Sequence, residues 1–349
     1  GSNTANVGTY TITPTSETGS TRTNSSNYNI VFNPGTMTVT PATLTYVATP
    51  TTSVYGTTPS VNAGTVTGFV NSQTLSSATS GTLSFATTAT GASVVGGYAI
   101  NGSGLTANNG NYTFTQAAGN SSALTITPAT LTITANNQTT TYGNALALGT
   151  TAFTTNGLVN SDAVTAATLK FSNSATVLAT QNAGTYSNTG GIIASGASGT
   201  GLSNYAIVYI PGTLTVNKAV LNVTADAQSM TYGANALPSL TATISGFANS
   251  QTLASSGVTG SAALSTTATA YNGTAGSASV AGGYTITPTV GSLSAANYSF
   301  NYVNGTLTIT PATLTITANA DSKVYGATST TAGLNYSAGV AVSATGYSA

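Results

Sequence analysis

The sequence predicts an all-β fold, built as a tandem array of domains of about 90 residues. Three observations support this prediction. Blocks of sequence recur in a fixed order, Thr, Val, Ile and Tyr dominate the stretches with alternating polarity, and no segment has the apolar periodicity of a helix. We expect each domain to be a small immunoglobulin-like β-sandwich, and a β-grasp-like repeat is the alternative topology.

The repetition is visible in two long blocks. The segment ATLTYVATPTTSVYG begins at Ala42, and related segments begin at Ala129, Ala219 and Ala312, which are 87, 90 and 93 residues apart. The block GFVNSQTL begins at Gly68, and its variants begin at Gly157 and Gly246. This spacing is too long for a solenoid coil and favours separate domains, each with its own core.

The predicted domain boundaries follow from these blocks. They give the C-terminal part of a repeat at 1–41, full repeats at 42–128, 129–218 and 219–311, and the N-terminal part of a repeat at 312–349. We interpret the chain as a window cut from a longer array. A donor-strand polymer, in which one chain's tail completes the next chain's head, is the less favoured alternative, because the two parts together are shorter than one repeat.

Two tyrosine pairs mark each repeat. A Tyr-Gly pair follows the opening strands, where glycine would permit a turn or bulge, and an Asn-Tyr pair precedes the closing strands. These structural markers are Tyr55, Gly56, Tyr142, Gly143, Tyr232, Gly233, Tyr325, Gly326, Tyr28, Tyr112, Tyr205 and Tyr298. The tyrosines recur at inward positions of alternating strands, so we expect them to pack in the cores rather than to form a sugar-stacking surface.

The end of each repeat predicts how one domain leads into the next. The segment NYSFNYVNGTLTIT, from Asn297 to Thr310, predicts a β-hairpin that turns at Asn304-Gly305. Seven residues separate Leu307 from Leu314, so the inward face changes phase between them. One strand should therefore finish one core, and its continuation should begin the next with almost no linker, giving a stiff rod.

The near absence of charge excludes several functions. Only eight residues of 349 are charged, and the chain has no His, Cys or Trp, whereas charged residues are about 25% of an ordinary soluble domain. The acids are Glu17, Asp162, Asp226 and Asp321, and the cations are Arg22, Lys170, Lys218 and Lys323. Imidazole-dependent and paired-carboxylate catalysis, zinc or calcium binding and nucleic-acid binding all lack their usual residues. We therefore predict no enzyme activity, no cofactor, no metal and no nucleic-acid partner.

The same composition predicts where and how the protein acts. No run of apolar residues is long enough to span a membrane. Surfaces without charge repel one another little, and unguarded edge strands can pair, so we expect self-association into fibres or bundles. The leading interpretation is a structural stalk or fibre. A module whose repeats bind glycans or host surfaces is the alternative.

The repeated blocks resemble a known family. LTITAN, VYG, GFVNSQTL, GGYTI and NYSFNYVNGTLTIT are similar to the bacterial MBG domain of the YGX type, over three full copies and two partial ones. This resemblance implies a repeat region of a large secreted, filamentous-haemagglutinin-like or adhesin-like protein, placed outside the bacterial cell in a surface layer or biofilm matrix. After the Tyr-Gly pairs, where the family often has an acid, this chain has Thr57, Asn144, Ala234 and Ala327, which argues against a calcium-dependent role there.

Overall fold

The computed structural model describes residues 4–15, 27–61, 63–318, 324–326 and 336–340. Within them the fold is all-β, as predicted, with 29 strands and a single α-helix of four residues. The described residues divide into two compact units. The first is drawn from 1–134, 153–167 and 195–210, and the second from 135–152, 168–194 and 211–349.

The first unit holds a short N-terminal strand pair and the whole of the first full repeat. The pair is β1 (Gly8–Ile12) with β2 (Gly35–Val39), antiparallel. The elements of the repeat are β3 (Ala42–Ala48), β4 (Thr51–Val54), β5 (Gly64–Thr67), α1 (Leu75–Ala78), β6 (Thr79–Ala86), β7 (Gly96–Tyr98), β8 (Asn101–Ala107), β9 (Tyr112–Gln116) and β10 (Leu124–Thr127). Its sheets have the strand orders β5-β3-β9, β4-β10-β7 and β6-β8.

The middle repeat contributes to both units. Its strands are β11 (Ala129–Ala135), β12 (Gln138–Thr141), β13 (Leu146–Ala147), β14 (Phe153–Asn156), β15 (Ala163–Lys170), β16 (Thr176–Val177), β17 (Gly184–Tyr186), β18 (Ile193–Thr200), β19 (Tyr205–Ile210) and β20 (Leu214–Asn217). The sheet β14-β11-β19 belongs to the first unit except for Ala135, and the sheets β12-β20-β17 and β13-β16 belong to the second.

The last full repeat lies in the second unit. Its strands are β21 (Ala219–Ala225), β22 (Gln228–Thr231), β23 (Ala242–Ser245), β24 (Ala263–Thr266), β25 (Gly282–Thr289), β26 (Tyr298–Val303) and β27 (Gly305–Thr310), and after them β28 (Leu314–Ala318) pairs with β29 (Tyr336–Val340). The sheets of this repeat are β23-β21-β26 and β22-β27-β25-β24.

Short 3-10 helices lie in the two preceding repeats, at Asn108–Gly110, Ala118–Ser122, Asn188–Gly190 and Leu202–Asn204.

Every full repeat pairs its strands in the same mixed pattern. In all three, the opening strand lies parallel to the strand that follows the Asn-Tyr pair, as β21 does beside β26. In the first and last full repeats its other neighbour is antiparallel, as β23 is to β21. The second strand lies parallel to the closing strand, as β22 does beside β27. In the last repeat the two sheets enclose one core, in which Ala225 of β21 packs with Ile286, Leu307 and Ile309 of the other sheet.

The predicted phase change between domains is confirmed by burial. Leu214 and Val216 are buried on β20, and the buried positions then become Ala219 and Leu221 on β21. The shift from even to odd positions across the junction turns the inward face over, because successive side chains of a strand point to opposite sides. β20 thus closes one sheet and β21 opens the next sheet without a separate linker.

The hairpin predicted for Asn297–Thr310 is wrong. β26 pairs in the sheet of β21, whereas β27 pairs in the sheet of β22 and β25, so the two strands do not pair with each other. Neither Asn304 nor Gly305 has a positive φ, which a type I′ turn would require. A Cβ on Gly305 would lie 2.3 Å from the Ala225 carbonyl oxygen. Glycine is needed there because the chain crosses close to another backbone as it passes between the sheets.

Candidate functional site

The repeat markers meet where one full repeat follows another. We call the contact between repeats 42–128 and 129–218 joint 1, and the contact between repeats 129–218 and 219–311 joint 2. All residues named below for joint 1 lie in the first unit, and all those named for joint 2 lie in the second. Each joint has a donor half, the Tyr-Gly turn of the preceding repeat, and an acceptor half in the following repeat.

The acceptor half is built on a tight turn. In the GLVNSDAV block Asn160 and Ser161 both have positive φ, 54° and 62°, and the Asp162 N–H donates to the Val159 carbonyl at 3.0 Å. Two consecutive left-handed residues closed in this way form a type I′ turn, which Asn tolerates well. The other two copies, at Asn71-Ser72 and Asn249-Ser250, have the same backbone signs.

The tyrosine of the Asn-Tyr pair holds this turn in place. In joint 1 the Tyr205 hydroxyl accepts from the Val159 N–H at 2.9 Å and donates to Asp162 Oδ2 at 2.8 Å. In joint 2 the Tyr298 hydroxyl accepts from Ala248 N–H at 3.0 Å and donates to the Gln251 Oε1 at 2.6 Å. The phenol therefore fixes both ends of the turn at once.

Burial raises the pKa of both of these phenols. Desolvation is the largest cause at Tyr205, and the hydrogen bond to the Asp162 carboxylate raises the pKa further, while the Val159 N–H acts in the opposite direction. Desolvation also dominates at Tyr298, with the nearby Tyr142 adding to it. Both hydroxyls therefore stay protonated, and remain hydrogen-bond donors, at neutral pH.

The donor half follows the second strand of the preceding repeat. Tyr55 comes directly after β4, and its N–H donates to the Thr127 carbonyl at 2.9 Å. Gly56 has φ +90°, and its N–H donates to the Gly91 carbonyl at 3.1 Å. The prediction that this glycine permits a turn after the second strand is confirmed.

The donor half of joint 2 repeats this arrangement. The N–H of Tyr142 donates to the Asn217 carbonyl at 2.9 Å, and the N–H of Gly143, which has φ +95°, donates to the Ala179 carbonyl at 2.9 Å.

The tyrosine of the donor half inserts against the acceptor half. The rings of Tyr55 and Tyr205 meet edge to face, with centroids 5.5 Å apart and planes at 83°, a geometry that aromatic pairs favour. The Tyr55 hydroxyl donates to Asp162 Oδ2 at 2.9 Å, so this carboxylate oxygen accepts hydrogen bonds from both Tyr55 and Tyr205. A Cβ on Gly56 would lie 2.6 Å from Val159 Cγ2, so the close approach of the Gly56 backbone to the Val159 side chain requires glycine.

Joint 2 reproduces these contacts with a neutral acceptor. The rings of Tyr142 and Tyr298 lie 5.4 Å apart at 82°, and the Tyr142 hydroxyl donates to Gln251 Oε1 at 3.3 Å. A Cβ on Gly143 would lie 2.5 Å from Ala248 Cβ. The ring geometry is thus the same in both joints, while the charge and the length of the hydroxyl hydrogen bond differ.

The asparagine of the Asn-Tyr pair makes a second link in each joint. In joint 1 the Val95 N–H donates to Asn204 Oδ1 at 3.0 Å, and in joint 2 the Ala183 N–H donates to Asn297 Oδ1 at 2.9 Å. A further tyrosine orients the peptide group that donates to each asparagine. In joint 1 the Tyr98 hydroxyl donates to the Val94 carbonyl at 2.8 Å, in the same peptide group as the Val95 N–H. In joint 2 the Tyr186 hydroxyl donates to the backbone carbonyl of Asn182 at 2.8 Å, in the same peptide group as the Ala183 N–H.

The turn asparagines add a third link. Asn160 Nδ2 donates to the Gly91 carbonyl at 2.9 Å in joint 1, and Asn249 Nδ2 donates to the Ala179 carbonyl at 3.1 Å in joint 2. Gly91 and Ala179 are the residues that also accept from the Tyr-Gly turns. Each joint therefore ties the turn of one repeat and the turn of the next to the same carbonyl.

Most of the predicted tyrosine markers are buried. Tyr112 holds the turn of the first full repeat as Tyr205 and Tyr298 do in theirs, and Tyr232 packs against the core of the last repeat. Tyr28 is 67% exposed and Tyr325 is fully exposed, so the expectation of core packing is wrong for these two. In the full repeats the strand after the Asn-Tyr pair is held by the opening strand, and residues 27–34 have no such strand beside them in the described structure.

Sequence reasoning missed the partners of these tyrosines. The repeated blocks mark Asn204 and Asn297 only as neighbours of the marker tyrosines. They indicate no role for the sixth position of the GFVNSQTL block, which is Asp162 or Gln251 in the joints. The available signal was the recurrence of each block at a fixed place in the repeat. Recurrence does not say that Tyr55 would meet Asp162, which lies 107 residues further along the chain.

Metal binding and membrane crossing can be checked directly on the described residues. They contain no group of three or more Asp, Glu, His or Cys side chains that could hold a metal ion. No helix in the described part of the chain is long and apolar enough to cross a membrane. The two joints hold neighbouring repeats together through paired tyrosine rings, hydrogen bonds of side-chain amides and one carboxylate.

Comparison with known families identifies the repeat. The model of the MBG domain (YGX type) matches residues 44–122, 131–215 and 221–308. The chain belongs to this MBG family. The three matches begin at Leu44, Leu131 and Leu221, which are buried residues on the opening strands of the MBG repeats. Among curated proteins the search found no match.

Proposed function

We propose that these MBG repeats are a non-catalytic structural region, a stalk or fibre, of an extracellular bacterial adhesin or matrix filament. The observation that carries the proposal is that joints 1 and 2 are built from the same contacts at the same positions of the repeat. Core packing alone would not require matched contacts between repeats. Matched joints are expected of a chain whose task is to hold successive domains in a repeated arrangement.

The chemistry of the joints suits an exposed location. Each joint combines an aromatic pair with hydrogen bonds to side-chain amides and backbone groups, and Asp162 is the only charged side chain among the contacts described for them. Such contacts depend little on ionic strength, because salt screens charges and leaves neutral hydrogen bonds and apolar packing largely unaffected. A structure outside the cell must tolerate changes of salt without losing its joints.

The surface supports association between copies. The described residues contain four charged side chains, Asp162, Lys170, Lys218 and Asp226. Several apolar side chains are nevertheless more than half exposed, including Val94, Leu178 and Val280. Because little charge repulsion opposes contact, we propose that such repeats bundle or assemble with one another.

Three measurements on the purified chain test this function. Electron microscopy and sedimentation at rising protein concentration should show assemblies that persist when the salt concentration is raised. A glycan array should show no binding, since the tyrosines of the joints are buried and cannot stack on a sugar. A chain that binds glycans specifically and stays monomeric at every concentration would instead support the adhesive module.

A further inference from the structure

The loop between β24 and β25 of the last full repeat carries an insertion. Residues 269–284 number 16, whereas the matching segment of the first full repeat, residues 90–98, numbers 9, a difference of seven. The insertion contains the pair Asn272-Gly273, which neither of the other full repeats has at this place. The shorter loops show that the MBG fold does not need these residues, so the pair can serve another purpose.

An asparagine followed by glycine can modify itself without an enzyme. The backbone nitrogen of Gly273, once its proton has passed to hydroxide, attacks Cγ of Asn272 and forms a new C–N bond. The side-chain nitrogen leaves as ammonia, taking a proton from water and so regenerating hydroxide. Water then opens the five-membered succinimide ring at one of its two carbonyls, which gives aspartate or isoaspartate. The balance is one water consumed and one ammonia released, and nothing is oxidised or reduced.

The side chain of Asn272 is held in position for this attack. The Thr274 N–H donates to Asn272 Oδ1 at 3.1 Å, and this Asx-turn folds the amide back over the backbone of Gly273. The same hydrogen bond polarises the amide carbonyl at the oxygen where negative charge develops as the nitrogen adds to Cγ. A donor already placed at that oxygen lowers the barrier, as in an oxyanion hole.

The attacking nitrogen is unobstructed. Gly273 has φ +95°, and a Cβ built on it would meet no atom within 4 Å. No hydrogen bond holds the Gly273 N–H among the described residues. Asn272 is exposed to water, whereas Tyr271 before it is 8% exposed and donates its N–H to the Ala234 carbonyl at 2.8 Å. The pair is therefore open to solvent while the chain beside it is fixed.

Three other Asn-Gly pairs of the chain lie in restrained backbone. They are Asn101-Gly102, Asn156-Gly157 and Asn304-Gly305. The Gly102 N–H donates to Gln116 Oε1 at 2.9 Å. A Cβ on Gly157 or on Gly305 would lie 2.3 Å from the carbonyl oxygen of another strand. These pairs can close a succinimide ring only when the sheet opens locally, which costs free energy.

The pair Asn109-Gly110 provides the sharpest comparison. It is exposed in a turn, and a Cβ on Gly110 would also meet no atom within 4 Å. In the part of the chain that the structure describes, no hydrogen bond reaches the Asn109 side chain. The comparison with Asn272 therefore separates simple exposure from the effect of the hydrogen bond to Oδ1.

We propose that Asn272-Gly273 is a self-modification site, at which the folded chain converts Asn272 to aspartate and isoaspartate. The reaction adds one negative charge to a chain of net charge zero. The site lies in a loop outside the paired strands, so the MBG fold stays intact as the reaction proceeds. The converted fraction thus records the time that a copy has spent folded. This inference is independent of the stalk or fibre function.

Peptide mapping by mass spectrometry measures the conversion at each pair, because the modified peptide gains one mass unit. In the folded chain Asn272 should convert at least about tenfold faster than Asn109, since one hydrogen bond to the developing oxyanion supplies about 1.4 kcal/mol. In denaturant the two rates should become similar, because both pairs are then unstructured. The rate at Asn272 should rise with pH, because hydroxide removes the proton of the Gly273 N–H.

Two proline variants test the role of the hydrogen bond. Thr274→Pro removes the N–H that donates to Asn272 Oδ1 and should slow conversion at Asn272 about tenfold. Ala275→Pro is the matched control, since it adds the same ring one position later and keeps the Thr274 N–H. Conversion at Asn272 in the control should match that of the original chain. Circular dichroism and the unfolding temperature verify that both variants keep the fold.

The remaining outcomes overturn the proposal. If Asn272 converts no faster than Asn109 in the folded chain, the structure does not prepare this site. If the ratio of the two rates is the same in denaturant, the preference belongs to the local sequence and not to the fold. If both proline variants react as fast as the original chain, the Thr274 N–H takes no part in the attack. Each of these results leaves the stalk or fibre function standing, because that function is tested by assembly.

Discussion

Replacing Tyr55 by Phe should loosen joint 1 while leaving its packing in place. The substitution removes only the hydroxyl that donates to Asp162 Oδ2 at 2.9 Å and keeps the ring against Tyr205. A hydrogen bond to a charged group contributes about 1.5–3 kcal/mol. Asp162 is partly exposed and keeps its bond from Tyr205, so we take the lower end, about 1.5 kcal/mol, which corresponds to a factor of about ten.

The equivalent substitution in joint 2 provides a matched comparison within the same chain. The Tyr142 hydroxyl donates to a neutral amide oxygen at 3.3 Å, longer than the usual 2.5–3.0 Å of an O–H···O bond. We therefore expect Tyr142→Phe to lose at most about 0.5 kcal/mol, or a factor of about two. The joint with the carboxylate should respond more strongly than the joint with the amide.

Native-state hydrogen exchange measures this difference at single amides. The Val95 N–H reports on joint 1 through its bond to Asn204, and the Ala183 N–H reports on joint 2 through its bond to Asn297. Tyr55→Phe should speed exchange at Val95 about tenfold and leave Ala183 unchanged, because the repeats open locally. Unchanged exchange at Val95, or equal effects of the two substitutions on their own joints, would refute the reasoning.

Three further predictions follow from the same contacts. Gly56→Ala should speed hydrogen exchange at the Val95 amide, because the new Cβ meets Val159 and the φ of +90° adds about 1–2 kcal/mol of strain. Gly149→Ala is the control: Gly149 has φ +68° and open space around its Cβ, so the substitution should leave the Val95 amide protected. Asn204 is only 5% exposed, and Asn204→Ala leaves the Val95 N–H without its acceptor, so it should destabilise joint 1 by about 1–3 kcal/mol and speed exchange at Val95. Asn301→Ala, at an exposed asparagine, is the control and should leave Val95 exchange unchanged. Burial raises the pKa of Tyr205 and Tyr298 above the ordinary value of about 10. The contribution of these two phenols to stability should therefore be constant below about pH 10 and be lost as the pH rises towards their folded-state pKa values, since the unfolded chain ionises first. Phenolate absorbance followed together with circular dichroism checks this, and full reversible ionisation of all tyrosines near pH 10 with the sheets intact would contradict it.

The sequence contains much of the local structure and little of the pairing. Alternation of Leu131 and Ile133 with threonines predicts a strand, and the buried positions follow that alternation. The seven-residue spacing across each junction predicts the change of face, because it depends only on the strand period. These features are local, so a single stretch of residues determines them.

The pairing of strands depends on contacts far apart in the chain. Asn304-Gly305 has the composition of a hairpin turn, yet the parallel bonds of β26 to β21, about 80 residues earlier, take that strand into the other sheet. The joints fail to be predicted for the same reason. Tyr55, Gly56 and Asn204 stand out as repeated letters, but their partners lie in the neighbouring repeat and are set by the folded arrangement of both.

The fixed position of the two halves of a joint has a consequence for how such genes change length. Every full repeat carries a Tyr-Gly turn and an Asn-Tyr pair, so any copy can precede any other. Removing residues 129–218 would bring Tyr55 towards Gln251 and the Val95 amide towards Asn297, and we expect the shortened chain to form one complete joint, visible as protection of Val95 from exchange. Unequal recombination between the repeats can then add or delete whole copies, and each new pair of neighbouring repeats already contains the residues that form a joint.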